Sequence, residues 1–284
     1  MEKNFVSVTE IAGDEVTLEQ IDRLCNRYYW AGQYCVDKDV LEVACGTGQG
    51  LGYLAEIAKS LEAGDYSDKI LSIAQQHYGT RIDLRRFDAQ EMPFKDKSKD
   101  VIILFEAIYY IPDAERFVKE CVRVLRPGGK VLIATANKDL YDFNSSPHSC
   151  KYYGVVELSI LFSKYGFKSE FFGDTQVDNV SLRQKILRPI KKLAVALDIM
   201  PKSMAGKKFL KKIVFGRLVE MPAEIGPPIT GEKYSSLTTK KELIPNKKVN
   251  AIQLNRTVYI EPDRLSADVM NSRYKVIYCA ATLI

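Results

Sequence analysis

The sequence predicts an α/β fold: a doubly wound, mostly parallel sheet of seven strands with helices on both faces, plus a basic helical insertion before the last strand. Three observations lead there. Short apolar runs alternate with amphipathic stretches from about residue 18 to residue 172. The apolar runs are nearly unbroken, as in strands covered on both faces. The segment 273–284, RYKVIYCAATLI, regains strand character after roughly a hundred residues of different composition.

Residues 18–35 have helical spacing and carry Arg27, Tyr28, Tyr29 and Trp30. DVLEVAC at 39–45 is an apolar run ending in glycines, the pattern of a buried parallel strand, and 50–59 follow as a helix. LEAGDY at 61–66 is the second strand, with Asp65 near its end. SDKILSIAQQHY at 67–78 is a helix with Ser67 at its N-cap. Strands follow at 82–89 and 100–107, then an amphipathic helix at 113–125. Pro127-Gly128-Gly129 makes a turn into a strand at 130–136. A helix at 155–167 and a sixth strand at 168–173 precede the insertion, and 273–284 closes the sheet. The division is thus 1–173 for a ligand-binding core with its N-terminal helix, 174–272 for the insertion, and 273–284 for the returning strand.

Hydrophobic residues at 46% and charged residues at 27% suit a globular chain with a real core. No basic start precedes an apolar stretch at the N-terminus, and no run reaches the roughly 18 apolar residues of a membrane span, so a cytoplasmic protein is expected. The six cysteines show no CxxC pair and no zinc-type spacing with His77 or His148. Reduced, mostly buried thiols and no metal are therefore expected.

The charge is uneven. Residues 183–217 hold eleven lysines and arginines against one acid, Asp198, so the stretch carries +10 and the rest of the chain about −5. Ile186, Ile190, Leu193 and Leu197 share one helical face, and Phe209, Leu210, Ile213 and Val214 another. Three roles fit: a lid packed on the core, peripheral contact with an anionic membrane surface at its inner face, or contact with RNA. Few aromatics interleave with the lysines, which weakens the nucleic-acid reading.

The run Glu42-Val43-Ala44-Cys45-Gly46-Thr47-Gly48-Gln49-Gly50 lies between a strand and a helix. Glycines there let backbone approach a ligand, and the helix N-terminus offers free N–H groups. Asp65 follows Gly48 by 17 residues, at the tip of the next strand, where a carboxylate can accept both hydroxyls of a ribose. Dinucleotides and S-adenosylmethionine both suit this geometry. The dinucleotide fingerprint G-x-G-x-x-G fails because its third glycine falls on Leu51.

In these motifs the chain resembles the class I S-adenosylmethionine-dependent methyltransferases, in the small-molecule branch that includes quinone and sugar methyltransferases. The resemblance covers about residues 25–172 and implies a Rossmann-like core. It matches Glu42 to the family's acid, and Gly46 and Gly48 to its G-x-G-x-G loop, with Ala44 replacing the first glycine. Asp65 matches the ribose-binding acid and places Tyr66 beside the adenine. Asp88-Ala89 match the step that reads the adenine edge, and Phe105-Glu106 the segment facing the methionine. RVLRPGGKVLIAT at 123–135 matches the turn into the fifth strand. Residues near Tyr28 and Arg27 close over the cofactor in the family. The implied cofactor is S-adenosyl-L-methionine, with S-adenosyl-L-homocysteine as product.

Methyl transfer relies heavily on positioning, and a hydroxyl acceptor also needs a base. His148, in the loop after the fifth strand, is the first candidate base because its ordinary pKa lies near working pH. Glu106 is the second. Tyr109, Tyr110, Asp139 and His148 are the candidate acceptor contacts. The Asn-Pro-Pro-Tyr-like tetrad of nucleic-acid nitrogen methyltransferases is absent, its place taken by Phe105-Glu106-Ala107-Ile108. The leading expectation is transfer to oxygen of a small-molecule or glycan acceptor, lipid-linked ones included. The alternatives are transfer to nitrogen or carbon of an amine, a quinone-like ring or RNA, and a cofactor-binding protein without catalysis.

Overall fold

The computed structural model describes residues 5–177, 218–229 and 255–284. The two predicted basic helices, within 183–217, lie outside the described residues.

Helix α1 (Leu18–Cys35) starts at a capping box. The Thr17 hydroxyl accepts from the Gln20 N–H at 3.2 Å, and the Gln20 side chain accepts from the Thr17 N–H at 3.0 Å. The parallel strands are β2 (Asp39–Val43), β3 (Ser60–Asp65), β4 (Asp83–Arg86), β5 (Lys99–Phe105) and β6 (Leu125–Ala136). Helices α2 (Leu51–Ile57), α3 (Asp68–Tyr78) and α4 (Ala114–Val124) alternate with them. Helix α5 (Val155–Ser163) leads through a turn at Gly166 into β7 (Phe167–Gln176), which runs past Gly173. The chain closes on β10 (Tyr274–Leu283).

The seven predicted strands form one sheet, and an eighth, β9 (Asp263–Leu265), extends its edge. The order is β4-β3-β2-β5-β6-β10-β7-β9. The first five strands are parallel to one another, and β10 runs antiparallel between β6 and β7. β9 was not legible because three residues, two of them exposed charges, carry no alternation. A separate two-stranded ribbon joins β1 (Glu15–Val16) to β8 (Val219–Glu220), so part of the insertion returns to the N-terminal segment.

Alternation along each strand feeds two cores. Leu41, Ile102, Leu104, Val131 and Ile133 pack with Phe117 and Val118 of α4 and with Leu158 and Phe162 of α5. Val40, Ile103, Leu132 and Ala280 pack with Leu24, Tyr28 and Trp30 of α1 and with Leu54 of α2. Helices therefore cover both faces, and loops from the carboxyl ends of the parallel strands gather at one edge. Ser67 sits at the N-cap position of α3, but its side chain makes no cap bond; its N–H instead donates to Asp65 Oδ1 at 2.9 Å. Five of the six cysteines are buried and none is bridged.

Candidate active site

A cavity of about 610 Å³ opens over the carboxyl ends of the strands. The sheet order arranges its lining. Asp88 and Ala89 follow β4, and Asp65 and Tyr66 close β3. Glu42 to Gly46 close β2, Phe105 to Pro112 close β5, and Ala136 closes β6. Val276 and Tyr278 come from β10.

Glu42 is 1% exposed. Its Oε1 accepts from the Tyr28 hydroxyl at 2.6 Å, while its buried Oε2 has no hydrogen-bond partner. Burial pushes its carboxyl up to about 7, against the pull of the Tyr28 hydrogen bond and the Arg27 charge. Burial and the neighbouring Glu42 charge hold Tyr28 well above the usual phenol range, so it stays a donor. The Tyr28 ring lies on Gly50, where a Cβ would come within 2.1 Å of it. Glycine at 50 is thus what lets Tyr28 reach Glu42.

Ala44 adopts φ +54° and Gly46 φ +62°. The turn needs left-handed backbone where the sequence has alanine, which costs on the order of 1 kcal/mol. A Cβ on Gly46 would meet only Thr9 Cγ2, at 3.9 Å, so the backbone there is open to the cavity. Asp65 Oδ2 accepts from the Gly46 N–H at 3.0 Å and its Oδ1 from Ser67. Each oxygen keeps a second lone pair for a hydroxyl donor. Asp88 Oδ1 accepts from the Gln90 N–H at 2.8 Å, which fixes the loop after β4.

Two expectations about the glycine loop are corrected. Gly48 does not line the cavity; at φ +83° it packs on Leu51 and Tyr78, and its carbonyl accepts from the Tyr78 hydroxyl at 2.6 Å. Two of the N–H groups at the α2 N-terminus are likewise engaged within the protein. Leu51 N–H donates to Gly48 O at 3.0 Å and Gly52 N–H to the Tyr78 hydroxyl at 3.1 Å.

Glu106, at φ +50°, turns its carboxylate into the cavity between two partners. Oε2 accepts from the Tyr109 hydroxyl at 3.1 Å, and Arg27 Nη1 lies 3.8 Å from Oε1. Tyr109 and Tyr110 line the same region. His148 and Asp139 do not. His148 is exposed, with its ring 6.2 Å from that of Phe5. Asp139 is held by Lys138 at 2.8 Å beside α5. His77 is also away from the cavity, with its Nε2 2.8 Å from Glu224 Oε2.

Residues 41–133 match the family model described as a methyltransferase domain. A probable S-adenosylmethionine-dependent methyltransferase of Mycolicibacterium smegmatis is 34% identical over 140 residues, 48% of this chain and 54% of that protein. The domain matched at 41–133 is therefore of the class I S-adenosylmethionine-dependent methyltransferase type. A phthiotriol/phenolphthiotriol dimycocerosates methyltransferase of Mycobacterium ulcerans is 41% identical over 101 residues, 34% of this chain and 36% of that protein. The match spans about half the length, or less, of these relatives. A solved Thermotoga maritima structure, described as an S-adenosylmethionine-dependent methyltransferase and possible histamine N-methyltransferase, has the same fold. It aligns with TM-score 0.54 and 13% identity, over 93% of this chain and 92% of that one.

The cavity has a roof that the sequence motifs did not reveal. Phe5, Val8, Thr9 and Glu10 come from the N-terminal segment and Met221 from the segment after the insertion. The Gln49 side chain donates to Glu10 O at 2.9 Å, and Ile225 N–H donates to Gln49 O at 2.8 Å. Glu224 anchors the second segment to α3 through His77 and through Arg81 Nη2, 2.7 Å away. The Gln49–Glu10 bond spans 39 positions and the others more than a hundred, beyond the reach of local patterning. No group of three or more potential metal ligands occurs among the described residues.

Proposed function

We propose that this chain transfers a methyl group from S-adenosylmethionine to a hydroxyl oxygen of a small-molecule or glycan acceptor, lipid-linked acceptors included. One observation carries the reading. The cavity that holds the unpartnered carboxylate oxygen of Glu42 also holds, one strand further along the sheet, the Tyr109-bound carboxylate of Glu106.

The lining fits the cofactor. Glu42 Oε2 would take its ammonium group, and Arg27, whose buried Nε has no partner, its carboxylate. Asp65 would take the ribose hydroxyls, and Tyr66, Asp88 and Ala89 would hold the adenine. Ala44 and Gly46 would let backbone approach, with Tyr28 and Phe105 flanking. When bound, the sulfonium supplies both the methyl group and its leaving group.

Glu106 is placed to receive the acceptor's proton. Tyr109 fixes one of its oxygens and Arg27 stands beside the other, so the carboxylate is oriented before the acceptor arrives. The apolar roof residues Phe5, Val8 and Met221 would help to exclude water from the reacting atoms. A lipid-like acceptor is supported by the phthiotriol methyltransferase relative.

The test is transfer of labelled methyl from S-adenosylmethionine to lipid, glycan and RNA pools. Label in the lipid or glycan pool as an ether supports the reading. Label confined to RNA or to amines overturns it, and cofactor binding without transfer to any pool favours a binding protein.

A further inference from the structure

The part of the cavity over β5 is walled by aromatic rings. Phe5 and Tyr110 meet edge to face, with centroids 5.5 Å apart and planes at 71°. Tyr109 and Tyr110 are 4.6 Å apart at 61°. The Tyr109 ring is backed by Tyr152, stacked at 4.3 Å and 19°, and Tyr152 by Phe143 at 4.7 Å. The wall is therefore supported from behind and set in place before a ligand arrives.

Both tyrosine hydroxyls are already committed. That of Tyr109 donates to Glu106, and that of Tyr110 lies 2.6 Å from Ser146 Oγ. What these side chains offer the cavity is ring surface. Ala107, Ile111 and Pro112 continue the lining without polar side-chain atoms. A sugar needs donors and acceptors around its rim; among the described residues these rings and apolar side chains offer none that is free, and the polar groups, Glu106 with Arg27 beside it, stand at the edge of the wall. Inclined rings at these spacings suit a further planar ring, added edge-on or offset.

We propose that the acceptor is an aromatic ring bearing a hydroxyl, seated against Phe5, Tyr109 and Tyr110 with that hydroxyl on the Glu106 carboxylate. The proposal rests on the methyl-transfer reading and narrows it to phenol-type acceptors. In the reaction, the hydroxyl proton passes to Glu106 while the oxygen bonds to the methyl carbon. The carbon–sulfur bond breaks with its electron pair left on sulfur. The products are an aryl methyl ether and S-adenosylhomocysteine, and Glu106 then returns its proton to water.

The experiment uses the full chain saturated with S-adenosylhomocysteine, whose binding is measured first by calorimetry. Naphthol, decahydronaphthol and methyl glucoside are then titrated. The first two share a carbon skeleton and differ in planarity. Naphthol is expected to bind about fivefold more tightly than decahydronaphthol, the ratio given by roughly 1 kcal/mol of ring–ring contact. Tyr110→Leu should lower naphthol affinity by about the same factor and leave S-adenosylhomocysteine affinity unchanged. Phe5→Leu, on the N-terminal segment, repeats the test should Tyr110→Leu fail to fold. Equal binding of naphthol and decahydronaphthol, tighter binding of methyl glucoside, no naphthol binding, or indifference of naphthol to both variants would overturn the proposal. Loss of S-adenosylhomocysteine binding by the unaltered chain would instead refute the methyl-transfer reading itself.

Discussion

Replacing Glu42 by glutamine should weaken cofactor binding and yet relieve a cost in the free protein. Burial moves this carboxyl from its ordinary 4.5 to about 7. In the unfolded chain it titrates at the ordinary value. Between those two points, rising pH ionises the unfolded state while the folded state stays protonated, so folding stability falls; above about 7 the loss is complete. A tenfold change in proton affinity is worth about 1.4 kcal/mol, so the full loss is on the order of 3 kcal/mol. Glutamine has no such titration. It can still accept from the Tyr28 hydroxyl, but its amide N–H groups lack partners, a cost of about 1–3 kcal/mol at every pH. The difference in stability between variant and parent should therefore move in the variant's favour by about 3 kcal/mol between about pH 4.5 and about pH 8. Urea denaturation at both pH values measures it. Calorimetry at about pH 8, where the Glu42 carboxyl of the parent is ionised, should show cofactor affinity reduced about 10- to 100-fold, as the ammonium group loses its charged acceptor. A pH-independent stability difference would refute the account of Glu42 as a buried carboxyl held protonated. Unchanged cofactor affinity would refute its binding role.

Further perturbations separate the parts of the site. Ala44→Gly should keep cofactor affinity and raise stability by up to about 1 kcal/mol, because glycine accepts φ +54° without strain; a loss of cofactor binding would contradict this. Gly50→Ala should push the Tyr28 ring off Glu42, costing about 1–3 kcal/mol in thermal denaturation and lowering cofactor affinity together. Glu106→Gln should cut turnover by about 100-fold or more with cofactor affinity retained, whereas His148→Ala should leave turnover unchanged; the reverse pattern in a labelled-methyl assay would restore the histidine as base. Asp174→Ala should destabilise the fold by about 2–4 kcal/mol in chemical denaturation. It strands the Asn26 amide, 3.0 Å away, and the Tyr278 hydroxyl, 2.9 Å away, both buried.

The fold was legible because each strand that bears on the site is an apolar run of ordinary length. DVIILF at 100–105 can hardly be anything but a covered strand, and the glycine loop and Asp65 mark the ends of two others. Those motifs also pointed to residues that line one cavity, since these lie next to the strands they close. Gly48 lies outside the cavity lining, and sequence could not show this because a glycine required for packing and one required for ligand approach look alike there. Only the contact with Tyr78 separates them. His148 was preferred for its intrinsic chemistry, but a general base is chosen by position, and position is set by the loop after β6, which carries no periodic signal. The roof escaped for a different reason. FVSVTEIAGDE lacks helical or strand spacing, and it is held down by Gln49 and Met221, partners that no local pattern links to it.

Calorimetric titration of the full chain with S-adenosylmethionine, and with S-adenosylhomocysteine, tests the central claim most directly. One molecule of either ligand should bind per chain, with S-adenosylmethionine affinity rising with pH up to about 7 as Glu42 becomes easier to ionise. A folded sample that binds neither ligand would contradict the account.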